Sequence, residues 1–282
     1  MDSLTVAPPA PVRARRRPAR RAKYPLRAIA LVYVAALVVL PVGVVLERSI
    51  RLGAGAFWAA ISSADALHAY QVTALVAGLA VVINTVFGVG VALLLARYRF
   101  PGRRLLDLII DIPISVSPIV VGLALVLAFG TTTGWFGTAL EHVGIQVIFA
   151  TPGMVLASSF VSLPLVVREV LPVLMEEGLD QEQAARSLGA NALQRFWRIT
   201  LPTIRWALAY GVVLNVARAL GEFGALRVVS GDVSGQTQTV TLLVDERAEQ
   251  FEPGSYQLAV VLIAVSVICI VVISFVRPKG ER

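Results

Sequence analysis

The sequence predicts an all-α membrane protein with six transmembrane helices. Hydrophobic residues make up 57% of the 282 residues, charged residues only 15%, and the mean hydropathy is +0.77. A soluble domain of this size carries about a quarter charged residues. Long apolar stretches recur along the chain, and each can cross a hydrocarbon core that requires roughly 20 apolar residues. The composition therefore excludes the soluble globular classes.

Uncharged stretches mark most of the predicted spans, which cover residues 28–46, 71–96, 112–130, 143–167 and 253–276. The remaining span, 206–226, contains Arg218 and Glu222, but the apolar density on both sides of these charges is unbroken. A basic region followed by an apolar run is typical of signal peptides. No small-x-small cleavage site follows the first run, so we predict an uncleaved first helix.

The chain divides into four predicted regions. Residues 1–24 form a basic tail that we expect to be disordered, and residues 25–69 contain the first helix and an outside loop. The main membrane region covers residues 70–276, with a long connecting loop at 176–202, and residues 277–282 form a second short tail.

Lysine and arginine are distributed unevenly between the two ends of the predicted helices. Most of the 25 basic residues fall in the tails and in the second and fourth loops. The opposite side has only Arg48, Arg51, Arg227 and Arg247. Because basic residues concentrate on the cytoplasmic side, both termini and the 176–202 loop are predicted to be cytoplasmic. The same excess explains the pI of about 10.2, with anionic lipid rather than nucleic acid as the partner.

The residue types needed for catalysis are absent or badly placed. A P-loop requires a glycine-rich turn followed by lysine, and neither Lys23 nor Lys279 follows such a turn. His68 and His142 have no second ligand at metal spacing, and Cys269 has no cysteine partner. The sequence therefore predicts neither an enzyme nor a bound metal or cofactor.

The 176–202 loop has the pattern of a folded segment. Asp180 and Gln183 form an Asp-x-x-Gln variant of the capping box, which predicts a helix that begins at Gln181. Leu188 lies near its end, and Gly189 follows where the chain must leave the helix and turn. Within the same loop, Leu193, Phe196 and Trp197 recur at helical spacing and predict a second short helix before Pro202.

Small residues in the first of these helices would let another surface approach closely. Ala184, Ala185 and Gly189 are small, and Leu188 can fill a groove on a partner. This pattern is typical of a docking helix. An amphipathic helix that rests on lipid fits the same periodicity, and the spacing alone does not separate the two.

The loop resembles the cytoplasmic signature of permeases in binding-protein-dependent ABC importers, which reads Glu-Ala-Ala, three residues, Gly, nine residues, Ile-x-Leu-Pro. The matching residues are Gln183, Ala184, Ala185, Gly189, Ile199, Leu201 and Pro202, with every spacing kept. Gln183 stands where the family usually has glutamate, and Glu182 precedes it. The resemblance implies the type I permease fold for residues 70–276. It also implies that the loop, with Glu182 and Leu188, inserts into a separate ATPase, which uses the ATP.

Two other segments suggest an anion path. Arg218 lies within a predicted span, where a central arginine costs about 2.5 to 3.5 kcal/mol on insertion scales, and Glu222 one turn later can neutralise it. The pair could be structural, could face a subunit interface, or could give positive potential to a pathway. Ser115 and Ser117 stand beside prolines in the third span, where their hydroxyls could bind an oxyanion or satisfy the kinked backbone.

Longer stretches are similar to the W-type permease subunits of sulfate and thiosulfate importers; they read DIPISVSPIVVG, PLVVREVLP and ARALGEFGA. Molybdate or other oxyanion permeases are the alternative, and an ion-coupled secondary transporter is a more distant one. The resemblance implies a homologous T-type permease, two ATPase subunits and an external sulfate-binding protein as partners. It places the chain in the bacterial cytoplasmic membrane.

Overall fold

The computed structural model describes residues 23–132 and 134–276, and it is all-helical across those residues. The helices are α1 Lys23–Ile50, α2 Gly53–Ile61, α3 Ala64–Arg97, α4 Arg103–Ser115, α5 Pro118–Phe129, α6 Gly137–Glu141, α7 Thr151–Glu177, α8 Asp180–Ser187, α9 Ala192–Arg195, α10 Leu201–Leu220, α11 Gly224–Val229, α12 Val240–Glu249 and α13 Ser255–Val276. A π-helical turn, Phe196–Thr200, joins α9 to α10. The predicted all-α class is confirmed. The predicted tails, apart from residues 23 and 24 in α1, lie outside the described residues.

Five helices are long and apolar enough to cross a membrane, and α4 with α5 forms a sixth span only if the bent pair is counted as one. The pair bends by 113°. Val116 and Ser117 are extended between the two helices, with ψ of 138° and 133°. Proline disfavours helical backbone in the residue before it, so Pro118 ends the first half at Ser117. The six-span prediction is confirmed with this break in its third span.

Two predicted spans have the wrong boundaries. The 143–167 span is observed as α7, which begins at Thr151 because Gly144 and Phe149 take positive φ of 77° and 61° before it. It continues to Glu177, so Arg168 lies within the helix rather than in the loop. The 206–226 span is observed as α10, which begins at Leu201 and breaks after Leu220.

The chain divides into two compact units, Met1–Glu47 and Arg48–Arg282. The described part of the first unit is a single helical stretch whose apolar side chains are mostly exposed, as expected of a helix that faces lipid. In the second unit, α3, α7 and α10 contact one another along their lengths. Their common core includes Val89, Val166 and Ile204, one from each helix.

A buried polar cluster joins the same helices near their middles. The Asn84 side-chain amide donates to Ser162 Oγ at 2.9 Å and to Asn215 Oδ1 at 3.5 Å. All three residues are buried. Hydrogen bonds between helices replace the hydrophobic driving force that is absent within lipid, so this cluster sets the register of the three spans.

Glycines bring the three helices close together, and Gly88→Val tests this packing. A Cβ at Gly88 would lie 2.9 Å from Val166 Cβ, so the larger side chain must displace α7. We expect the free energy of unfolding in detergent to fall by about 1 to 3 kcal/mol, as for other overpacked cores. The control is Gly90→Val, because a Cβ at Gly90 meets no described atom within 4 Å. Equal unfolding free energies for the two variants would contradict the prediction.

Candidate coupling and translocation sites

The helix α8 is a short polar helix with no buried residue between Asp180 and Ser187. Gly189 ends it with φ of +88°, as the sequence predicts. The predicted capping box is wrong, because the N-cap is Leu179 and no side chain caps the helix. Gly178 ends α7 in a conformation with φ of 66°, and α8 starts close behind it. Asp180 therefore lies inside the first turn, where its charge favours the helix dipole.

The second half of the loop differs more from its prediction. A capping box does form, but at Asn191 and Gln194, with bonds of 2.8 and 3.0 Å. The helix that it starts continues through the π-helical turn into α10, so residues 192–220 form one span rather than a separate short helix. Phe196 packs against the core of α3, α7 and α10, whereas Leu193 and Trp197 stay exposed.

The signature residues fall into two groups. One group lies at the tip of the loop, where Leu188 is 89% exposed, and it consists of Gln183, Ala184, Ala185, Leu188 and Gly189. The other group, Ile199, Leu201 and Pro202, lies where the π-helical turn passes into α10. One half of the signature is therefore free to contact a partner, and the other half begins a membrane span.

Glu182 is turned towards the membrane helices rather than towards the tip. Its Oε1 accepts a hydrogen bond from Arg97 Nη2 at 2.9 Å and one from Thr200 Oγ1 at 3.0 Å. Arg97 also donates through Nη1 to the carbonyl oxygens of Leu174 at 2.9 Å and Gly178 at 2.5 Å. Sequence reasoning missed Arg97, whose role depends on a contact 85 residues away. Its only local signal was its place at the end of an apolar span.

The second site lies where two helix breaks meet. The first break separates α4 from α5, and the second separates α10 from α11. A Cβ on Gly224, the first residue of α11, would lie 3.2 Å from Pro118 Cβ at the start of α5. Broken helices within a membrane are typical of transporter binding sites, because they leave backbone groups free near the midplane.

The expected ion pair is present at this junction. Arg218 Nη1 lies 2.7 Å from Glu222 Oε2, and the two side chains are 38% and 2% exposed. Glu222 Oε1 also accepts a hydrogen bond from the Ala225 N–H at 3.0 Å, so Glu222 caps the start of α11. Arg218 therefore keeps its guanidinium partly open, while Glu222 is held in place by two bonds.

Ser115 and Ser117 lie at the other break, and both are exposed. The contact of Gly224 with Pro118 brings their segment beside the segment of Arg218 and Glu222. The preceding half-helix, α4, is tied to α7 by an ion pair between Asp111 Oδ1 and Arg168 Nε at 2.8 Å. Within residues 23–132 and 134–276, no three His, Cys, Asp or Glu side chains cluster as a metal site would need.

Known proteins share both the sequence and the fold. The chain is 44% identical over 255 residues to the sulfate transport system permease protein CysW of Synechococcus elongatus, covering 90% of this chain and 89% of the relative. It is 35% identical to the sulfate transport system permease protein CysT of Salmonella typhimurium, covering 89% and 91%.

Among solved structures, a bacterial ABC transporter involved in the import of the acidic polysaccharide alginate superposes with a TM-score of 0.75. The alignment covers 91% of this chain and 93% of that one at 17% identity, so it shows a shared fold. The family described as binding-protein-dependent transport system inner membrane component matches residues 84–278. This chain belongs to that family of inner membrane transport components.

Proposed function

We propose that this chain is the permease subunit of an ATP-driven sulfate importer and forms half of its translocation pathway. The observation that carries the proposal is α8, a polar helix that ends in a Leu188 side chain 89% exposed. An apolar side chain this exposed beside a polar helix fits a groove on a protein partner. The partner is a separate ATPase that hydrolyses the ATP, two copies of which would serve two permeases. The chain itself is not catalytic.

Charge supports the orientation in this proposal. The basic residues of the tails and of the loop around α8 belong on the cytoplasmic side, so α8 meets the ATPase there. The outer loops at 47–70 and 231–253 then face the external binding protein. The ATPase and the binding protein act from opposite ends of the same spans.

Sulfate is the proposed substrate because the relatives named above are permeases of sulfate systems. The chain is similar to both CysW and CysT proteins, which supports a pore built from a W-type and a homologous T-type subunit. An external sulfate-binding protein would deliver the anion, as the family description implies. Molybdate and other oxyanions share the tetrahedral shape and the charge of sulfate.

The junction of the broken helices is the proposed anion path within this subunit. Arg218 supplies positive potential, and Glu222 holds or releases it as the transporter changes state. Ser115 and Ser117 donate hydrogen bonds that a dianion needs in addition to charge. The contact of Gly224 with Pro118 supports this grouping, because it joins the two breaks.

Reconstitution tests the whole proposal. The chain is placed in vesicles with a T-type permease and the ATPase inside, and with the binding protein and labelled sulfate outside. We expect sulfate uptake that requires internal ATP and stops with an ATPase unable to hydrolyse it.

Two controls separate the alternatives. Uptake by this chain alone under an ion gradient would contradict the importer and favour a secondary transporter. Molybdate in excess should leave sulfate uptake intact if sulfate is the substrate, and strong inhibition by molybdate would reassign it.

A further inference from the structure

We propose that Arg97, Glu182 and Thr200 form a transmission joint that passes the movement of α8 to the membrane helices. Arg97 and Glu182 are positioning residues in this role, because neither lies at the exposed tip of the loop. The inference rests on the proposed coupling of α8 to an ATPase. It adds the route by which force leaves α8 within this chain.

The joint is asymmetric, with Glu182 at its centre. One carboxylate oxygen, Oε1, accepts from both Arg97 and Thr200, at 2.9 and 3.0 Å. The Arg97 side chain is 11% exposed and the Glu182 side chain 20%, while Thr200 is buried. Water therefore competes little for these bonds, unlike at a surface ion pair.

The Arg97 guanidinium gathers a second set of bonds from α7. Its Nη1 donates to the carbonyl oxygens of Leu174 and Gly178, at 2.9 and 2.5 Å. Helix ends leave such carbonyls without an intrahelical partner, and a guanidinium can satisfy several acceptors in fixed directions. The end of α3, the end of α7 and the π-helical turn before α10 all converge on the joint.

These three spans move as a body because they share one core. Val89, Val166 and Ile204 belong to it, and the buried polar cluster of Asn84, Ser162 and Asn215 joins the same helices. Displacing α8 therefore displaces α3, α7 and α10 together. The tip of α8 faces outward through Leu188 while Glu182 faces inward, so docking and transmission use different sides of the helix.

The experiment compares transport with hydrolysis in the reconstituted four-component importer. The variants are Arg97→Gln, Glu182→Gln and the double change. The control is Arg99→Gln, an exposed arginine two residues away for which the described residues hold no ion-pair partner. The measured quantities are co-purified ATPase, ATP hydrolysis, and sulfate taken up per ATP.

We expect both single variants to keep the ATPase bound and to lower the sulfate taken up per ATP about tenfold, a usual size for coupling between sites. The double variant should lose no more than either single one, since all three remove the same contact. Arg99→Gln should retain the wild-type ratio.

Two results would overturn the joint. One is an unchanged ratio of uptake to hydrolysis in Arg97→Gln and Glu182→Gln. The other is a parallel loss of ATPase binding, hydrolysis and uptake, which would make the contact only structural. Failure of the proposed function is a separate result, because the wild-type complex would then show no ATP-dependent uptake at all.

Discussion

Changing Leu188 to aspartate together with Gly189 to arginine is expected to abolish binding of the ATPase while the subunit still inserts in the membrane. Leu188 is 89% exposed, so burial in a partner groove would contribute about 2 kcal/mol that aspartate removes. Gly189 has φ of +88°, and a side chain there adds about 1 to 2 kcal/mol of strain to the turn. Co-purification of the ATPase with the tagged permease measures the effect.

The fold should survive these changes, because no residue of α8 between Asp180 and Ser187 is buried. The matched control is Val143→Asp, which charges a side chain 74% exposed in the loop between α6 and α7. That loop lies on the other side in the proposed topology, so the control should bind the ATPase normally. Undiminished ATPase binding by the double variant would rule out α8 as the docking element.

Removing the charge of Arg218 should stop sulfate uptake, but the single change Arg218→Gln has two effects. It removes positive potential at the junction of the broken helices. It also leaves Glu222, 2% exposed, without its partner, and breaking a buried pair destabilises by about 3 to 5 kcal/mol. The single variant should therefore lose both assembly and uptake.

The double variant, Arg218→Gln with Glu222→Gln, separates these effects. Replacing both charges leaves no unpaired ion, so stability should return towards that of the wild type. Uptake of sulfate should remain absent, because the positive charge is still missing. Wild-type uptake by the stable double variant would show that the pair is only structural. Thermal unfolding and uptake on the same vesicle preparation give both readings.

Local properties of the chain account for what could be predicted. The apolar spans and the turn at Gly189 depend on neighbouring residues, and they were predicted correctly. The signature spacing likewise located the exposed tip at Leu188. The capping box at Asp180 failed because Gly178, outside the motif, decides how the chain enters α8.

Long-range contacts explain the rest. Pro118 predicts an irregularity in the third span, but the 113° bend is a property of two helices and their neighbours. Nothing near Gly224 in sequence indicates that it will contact Pro118. The direction of Glu182 has the same cause, since a helical residue can face a partner or its own chain with equal propensity.

The sequence by itself determined that this protein spans a membrane, roughly where it crosses, and which loop resembles a docking signature. Each of these depends on residue type and spacing within a short window. Only the tertiary structure decided that Glu182 turns inward to Arg97 and that two helix breaks meet at one junction. Those arrangements join residues 85 positions apart in one case and more than a hundred in the other, and packing alone selects them.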